Sequence, residues 1–372
     1  MNSKIFIQNA TRYLAAHVKP DGQFIYRTHM FGKPVRRDYN VLRHAGAIYS
    51  IARAEPYWDN DYQPACDSAL SYLWAKYTIP TQVGDQKLLG IASSRPGHEG
   101  DKIVKLGGQA LAIVSLLAQV RRLNAFEEDQ VIKLGKYMRS MIHDTGNTIS
   151  KIDVTTNVPS SFVSLYYPGE AALAFVMLYQ RLGCTDSLAL ATNVLSYLAN
   201  DRARSGEYPP DHWALIATNE LFLTFQDLGD DVRDLLYWHA VKIVETILTS
   251  AITAADGSGA LTVKGSICGT ATWIEGLAAI WPWLRKRNYT NIHTVRAFVE
   301  SGSEYLMGAQ IKEGELKGGL PWTSPKHRKF KNIRAAPEVR IDSVQHALCG
   351  IISVSELANH KEAHQARLTR LD

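Results

Sequence analysis

Seven ionisable side chains stand where they could share one site: the carboxylates Glu170, Glu275, Asp211 and Asp342 and the histidines His44, His212 and His346. Each lies in or beside a short polar opening that leads into an apolar run. The openings align as Leu42-Arg-His-Ala45, Gly107-Gly-Gln-Ala110, Pro168-Gly-Glu-Ala171, Asp211-His-Trp-Ala214, Trp273-Ile-Glu-Gly276 and Val344-Gln-His-Ala347. Glycoside hydrolysis needs one protonated and one ionised carboxyl across the scissile bond. Glu170 and Glu275 hold equivalent places in this alignment, with Asp211 and Asp342 as substitutes. The histidines can act as acid and base near neutrality. They could also hold a metal beside a carboxylate, but no HxxxH or HxxE spacing supports that. Each group also has a plainer role open to it. Aspartate at a helix start is a common cap, a lone histidine is often a satisfied core residue, and a glutamate can bond to a neighbouring loop.

Eleven further residues are candidate substrate contacts: Arg43, Asp38, Tyr39, Gln109, Tyr166, Tyr167, Trp213, Trp273, Trp322, Arg340 and Gln345. Aromatic rings bury much area at little entropy cost, and sugars stack their C–H faces on them. Some of these rings must instead pack loops onto the body. Arg37 and Lys105 complete the ionisable set.

The elements that position these residues are helices. Apolar residues recur with helical period over 3–18, 40–54, 62–78, 105–122, 127–143, 168–182, 186–200, 211–228, 231–252, 270–286, 293–310 and 342–359. Odd-numbered segments carry charge along one face. Even-numbered ones are apolar almost all round after their first turn, which predicts burial. Leu165–Tyr179 shows the pattern: two tyrosines, then Pro168 suited to a first helical turn, then Glu170 and an apolar run. Connections from odd to even helices are mostly long, as at 19–39, 77–104 and 311–341. Loops that long are usually functional. Strand signals are weak; Gly22–Tyr26 and Gly259–Val263 predict loop ribbons only. Six hairpins with buried inner and amphipathic outer helices predict an all-α (α/α)6 toroid over residues 1–372 as one domain. A linear solenoid is the competitor, but neither terminal pair resembles a polar cap. In a toroid, six inner N-termini, each with a partial positive charge, would ring one electropositive mouth.

Composition narrows the function. The chain of 372 residues is 46% hydrophobic and 21% charged, with a net charge of +5. That is an ordinary globular balance, mildly favourable to anions. No dense basic run indicates nucleic acid; Lys326–Lys331 reads as a solvated loop. No apolar run reaches a membrane span, and the first residues lack a signal-peptide core, which predicts a cytoplasmic protein. Cys66, Cys184, Cys268 and Cys349 show neither zinc nor disulfide spacing. Dinucleotide, P-loop and nucleophile-elbow motifs are missing, and no cofactor is expected. An aspartate-rich run of the prenyl-diphosphate kind is also missing, and charge at the mouth disfavours an isoprenoid ligand.

The helix count, loop alternation and polar inner-helix mouths resemble the six-hairpin glycosidase-like superfamily. More loosely, they resemble the catalytic domain of D-glucuronyl C5-epimerases. The resemblance covers nearly the whole chain and implies a central funnel that takes a sugar chain. The expectation is therefore a carbohydrate-active enzyme on an anionic oligo- or polysaccharide, with hydrolysis by Glu170 and Glu275 first. Epimerisation or β-elimination beside a uronate comes second, with a His or Tyr base and an Arg neutralising the carboxylate. A non-catalytic toroid that grips a glycan or peptide is the reading from another class.

Overall fold

The computed structural model describes residues 2–30, 39–95, 98–324 and 338–358. Within them lie twelve helices: α1 Ser3–Ala16, α2 Val41–Arg53, α3 Gln63–Tyr77, α4 Leu106–Leu117, α5 Ala125–Ser140, α6 Tyr167–Leu182, α7 Asp186–Ser205, α8 His212–Thr224, α9 Asp230–Ala254, α10 Ile267–Lys286, α11 Ile292–Ala309 and α12 Ile341–Ala358. The even helices form a closed inner ring. α2 packs on α4, α4 on α6, α6 on α8, α8 on α10 and α10 on α12, and α12 returns to α2. That closure makes the fold an (α/α)6 toroid and excludes an open solenoid.

Residue types explain the two rings. α4 (LGGQALAIVSLL) has no charged side chain and is buried at every position, as a helix surrounded by other helices must be. α5 is an outer helix. Its Asn124 and Glu127 form a reciprocal capping box, and Val131, Leu134 and Met138 make its buried stripe. Small residues in the inner helices let neighbours approach. A Cβ on Gly169 would lie 2.6 Å from the Ala214 nitrogen, one on Gly276 3.0 Å from His212, and one on Gly46 2.5 Å from Gln345 Nε2.

The exits of the outer helices share a device. Gly22, Gly146, Gly259 and Gly318 all have positive φ. Each sits against a backbone carbonyl of another outer helix and the tyrosine four residues later: Ser68/Tyr72, Asn193/Tyr197, Ser301/Tyr305 and Asn9/Tyr13. Only glycine combines that conformation with that closeness. The last contact docks the α11 exit onto α1.

Strand content differs from expectation. Residues 77–104 carry β2 Thr78–Val83, β3 Gln86–Arg95 and β4 His98–Lys105. β5 Lys151–Asp153 and β6 Val158–Pro159, from the α5–α6 connection, extend them into a five-stranded antiparallel sheet in the order β2-β3-β4-β5-β6. Gly22–Tyr26 makes only an isolated bridge between Val18 and Phe24. The strand there is β1 Arg27–His29, paired with β7 Glu338–Arg340. Gly259–Val263 is not a strand. One helix, α9, is long and apolar enough by length and composition to cross a membrane, and 56% of its most apolar window is buried against this protein. The four cysteines are unpaired. Asp38, Arg37 and the basic stretch 326–331 lie outside the described residues.

Candidate active site

The ring brings three of the seven ionisable candidates together. His212 opens α8, Glu275 lies eight residues into α10, and His346 lies five residues into α12. Their ligand atoms are all within 4.8 Å of one another. The depth of Glu275 was not anticipated. α10 begins at Ile267, where the Ser266 hydroxyl caps the Gly269 N–H at 3.1 Å. Glu275 is therefore about 12 Å below the helix start, and Trp273 is not at an opening but within the helix, half-buried.

Glu275 is 1% exposed. Its Oε2 lies 3.5 Å from His346 Nδ1, and its Oε1 lies 3.6 Å from Arg53 Nη1. Gln345 Nε2 is 3.5 Å from His346 Nε2. These contacts suit one tautomer, with the proton on His346 Nδ1 facing the carboxylate and Nε2 carrying the lone pair. His212 is buried, and neither ring nitrogen has a hydrogen-bond partner among the described residues. Burial, helped by the neighbouring His346, pushes its pKa well below the usual value, so it is a neutral imidazole. The rings of His212 and His346 meet edge to face, 5.4 Å between centroids. Tyr166 (5.3 Å) and Trp213 (5.1 Å) flank His212. Trp213 is buried, with Tyr49 on its other side at 6.4 Å.

A second cluster stands one helical turn toward the mouth from His346. Asp342 accepts from Arg340 Nε (3.0 Å), Arg340 Nη2 (2.8 Å) and the Ser343 N–H (3.0 Å), and pairs with Arg43 Nε at 3.1 Å. Arg43 also donates to the Tyr26 hydroxyl. Asp342 thus orients two arginines.

Other candidates serve the fold. His44 is spent on both nitrogens: Nε2–H donates to the Ala69 carbonyl (2.9 Å), and Nδ1 accepts from the Tyr39 hydroxyl (2.7 Å), which itself accepts the Phe24 N–H (3.0 Å). Burial pushes the His44 pKa down to about 4. His44 and Tyr39 therefore fasten the α1–α2 connection and do not face substrate. Gln109 is turned to the sheet, where it accepts the Ile91 N–H and donates to the Leu89 and Leu134 carbonyls. Asp211 caps α8 through the Ala214 N–H (3.1 Å) and pairs with buried Arg202 at 2.7 Å. Arg202 in turn donates to His239 Nε2 at 3.2 Å. That fully engaged aspartate is structural.

Glu170 is buried at a different place. Its Oε2 lies with Tyr167 against Gly107 of α4, where any side chain would collide with it, and has no hydrogen-bond partner among the described residues. Burial first, then Asp211, pushes its pKa up to about 8. Trp322 is half-buried above the start of α10, its carbonyl accepting the Ile267 N–H at 2.9 Å. Arg53, Tyr49 and Tyr26 were missed. Arg53 had a readable signal: a lone charge ending a helix with a long apolar stretch must find a partner, and it finds Glu275, Ser353 and Glu356.

One buried and one half-buried imidazole in contact, the latter backed by a carboxylate, can move a proton on and off a carbon or oxygen held beside them. The same three residues are also spaced to hold a metal ion.

No family model and no curated protein matches the sequence. Solved structures do match in shape. A D-mannose isomerase superposes with a TM-score of 0.68 at 11% identity, covering 95% of this chain and 97% of that one. The cellobiose 2-epimerase of Spirochaeta thermophila gives 0.66 at 12% identity, covering 94% of each chain. An unsaturated glucuronyl hydrolase specific for heparin gives 0.60 at 10% identity, covering 96% of this chain and 98% of that one. At such identities the likeness is one of fold, the (α/α)6 toroid.

Proposed function

We propose that this protein is a carbohydrate-active enzyme that interconverts sugars by proton transfer at the carbon beside an open-chain carbonyl, as an isomerase or epimerase. The carrying observation is the pairing of His212 with His346 across one buried site, with Glu275 behind His346. His346 Nε2 takes the proton from C2, Glu275 orients the ring through Nδ1–H, and His212, in contact with His346, exchanges a proton with the neighbouring oxygen as the enediolate forms. Returning the proton to C1 gives the ketose; returning it to the other face of C2 gives the epimer. The names of the isomerase and epimerase with this fold support the reading by analogy only. The net charge of +5 favours an acidic sugar. We also take the chain as one domain, because the inner ring closes α12 onto α2.

Hydrolysis of an anionic glycan is the second reading. Its support is Glu170, whose pKa near 8 makes it a protonated acid at neutral pH. One experiment separates the two. Incubating the protein with neutral and acidic mono- and disaccharides in D2O should give products one mass unit heavier, labelled at C1 in a ketose or at C2 in an epimer, without chain cleavage. His346→Ala and His212→Ala should lower that label by at least about a hundredfold. Cleaved products without label, lost in Glu170→Gln and kept in His346→Ala, would transfer the assignment to hydrolysis.

A further inference from the structure

The cluster above His346 has more positive than negative charge. Asp342 is one carboxylate shared by two guanidinium groups, and its side chain is 4% exposed. Arg43 and Arg340 keep 32% and 24% exposure. Each has N–H groups beyond those given to Asp342 and Tyr26, with no acceptor among the described residues. A partly buried surplus cation is unfavourable unless an anion completes it. A second, independent observation lies just below. Gln345 Oε1 is buried and has no partner among the described residues, and neither does either nitrogen of His212. Unsatisfied buried polar atoms at one site point to a polar ligand.

Position relates the two levels. Asp342 and His346 are four residues apart on α12, so they lie on the same face about 6 Å apart along the axis. A six-carbon sugar held with C1 and C2 beside His346 would carry its far end up to the arginines.

We infer that Arg43 and Arg340, aligned by Asp342, bind a single acidic group at the end of the sugar remote from the reacting carbon. The substrate class is a monosaccharide acid: a hexuronate, or a hexose bearing a terminal phosphate or sulfonate. Planar guanidinium groups match such oxyanions in bidentate pairs. The inference rests on the proton-transfer reading for the placement of C2, but not for the binding of the acid.

The test is calorimetric titration of the full chain with matched pairs, glucose against glucuronate and glucose 6-phosphate, and mannose against mannuronate. The same sugars are followed for C1 and C2 label in D2O. The acidic member should bind at least about tenfold tighter than its neutral partner, since charged hydrogen bonds of this kind contribute that much or more. Arg340→Ala and Arg43→Met should remove that preference, bringing the acid's affinity down to that of its neutral partner in the same variant; Arg340→Lys covers the case in which the alanine variant fails to fold. Uronate preferred over phosphate, or the reverse, identifies the acid and supports the inference either way. Equal binding of neutral and acidic sugars, or acid preference surviving both arginine variants, overturns it. Tight, arginine-dependent binding of the acid with no label at C1 or C2 overturns the proton-transfer reading and leaves this site standing.

Discussion

Buried ionisable residues give this protein a stability that depends on pH in two opposed ways. His44 and His239 have pKa values pushed down to about 4 and about 3, and His212 is lowered as well. Burial is the leading cause in all three. Each stays neutral in the fold, while in the unfolded chain it charges below about pH 6.5. The unfolded state therefore binds more protons on acidification. Stability falls as pH drops below about 6.5, by up to about 1.4 kcal/mol per pH unit for each histidine, until its folded pKa is reached. Glu170 acts the other way. Its pKa near 8 keeps it protonated in the fold at pH 7, while the unfolded chain ionises it. That costs a few kcal/mol at neutral pH and nothing below about pH 4.5. Urea midpoints measured from pH 4.5 to 8 should show both effects. Glu170→Gln should raise stability by about 1–3 kcal/mol at pH 7.5 and change it little at pH 5. A variant no more stable at pH 7.5 would mean that Glu170 is ionised and has a cationic partner.

At the scale of elements, the turns that leave an outer and an inner helix, α5 and α6, carry a testable distinction. Gly146 and Gly183 both have positive φ, at 90° and 66°. A Cβ at Gly183 meets open space, whereas one at Gly146 meets the Asn193 backbone and Tyr197. Gly183→Ala should cost about 1 kcal/mol, the penalty of the left-handed conformation alone. Gly146→Ala should cost at least about 2 kcal/mol more, because α7 must shift as well. Equal losses by calorimetry would show that the turn does not fasten its neighbour. Helices were legible in the sequence because their period and their inner or outer character repeat in every hairpin. The sheet was not. β2 and β3 mix Thr, Gln, Lys and Ser with short apolar stretches, and β4 finds β5 across the whole of α4 and α5. Pairing that non-local leaves little mark on any one window of residues. His212, Glu275 and His346 stood out as polar groups in apolar helices. Their depth did not, because neighbouring inner helices are staggered and α10 starts before its apolar period becomes regular. Asp211 and His44 were legible as candidates for the same reason. What their chemistry serves was not, since Arg202 and the Ala69 carbonyl come from other helices.

For the whole molecule, the closure between α12 and α2 is decisive. α12 fills the gap between α10 and α2, and carries His346, Gln345 and Asp342 on its first turns. A protein ending at residue 337 should leave the apolar flanks of α2 and α10 bare. It should bind the dye ANS, lose its near-ultraviolet circular dichroism and unfold without a sharp transition. Cooperative unfolding of that fragment would show that five hairpins suffice. The same arrangement bears on synthesis. A ribosome making this protein delivers His212 and Glu275 well before His346, and only the final hairpin adds their partner. Until α12 is in place the ring is an open crescent, and His212 and Glu275 lack the third member of their cluster. Sealing of the ring and completion of that cluster then arrive together.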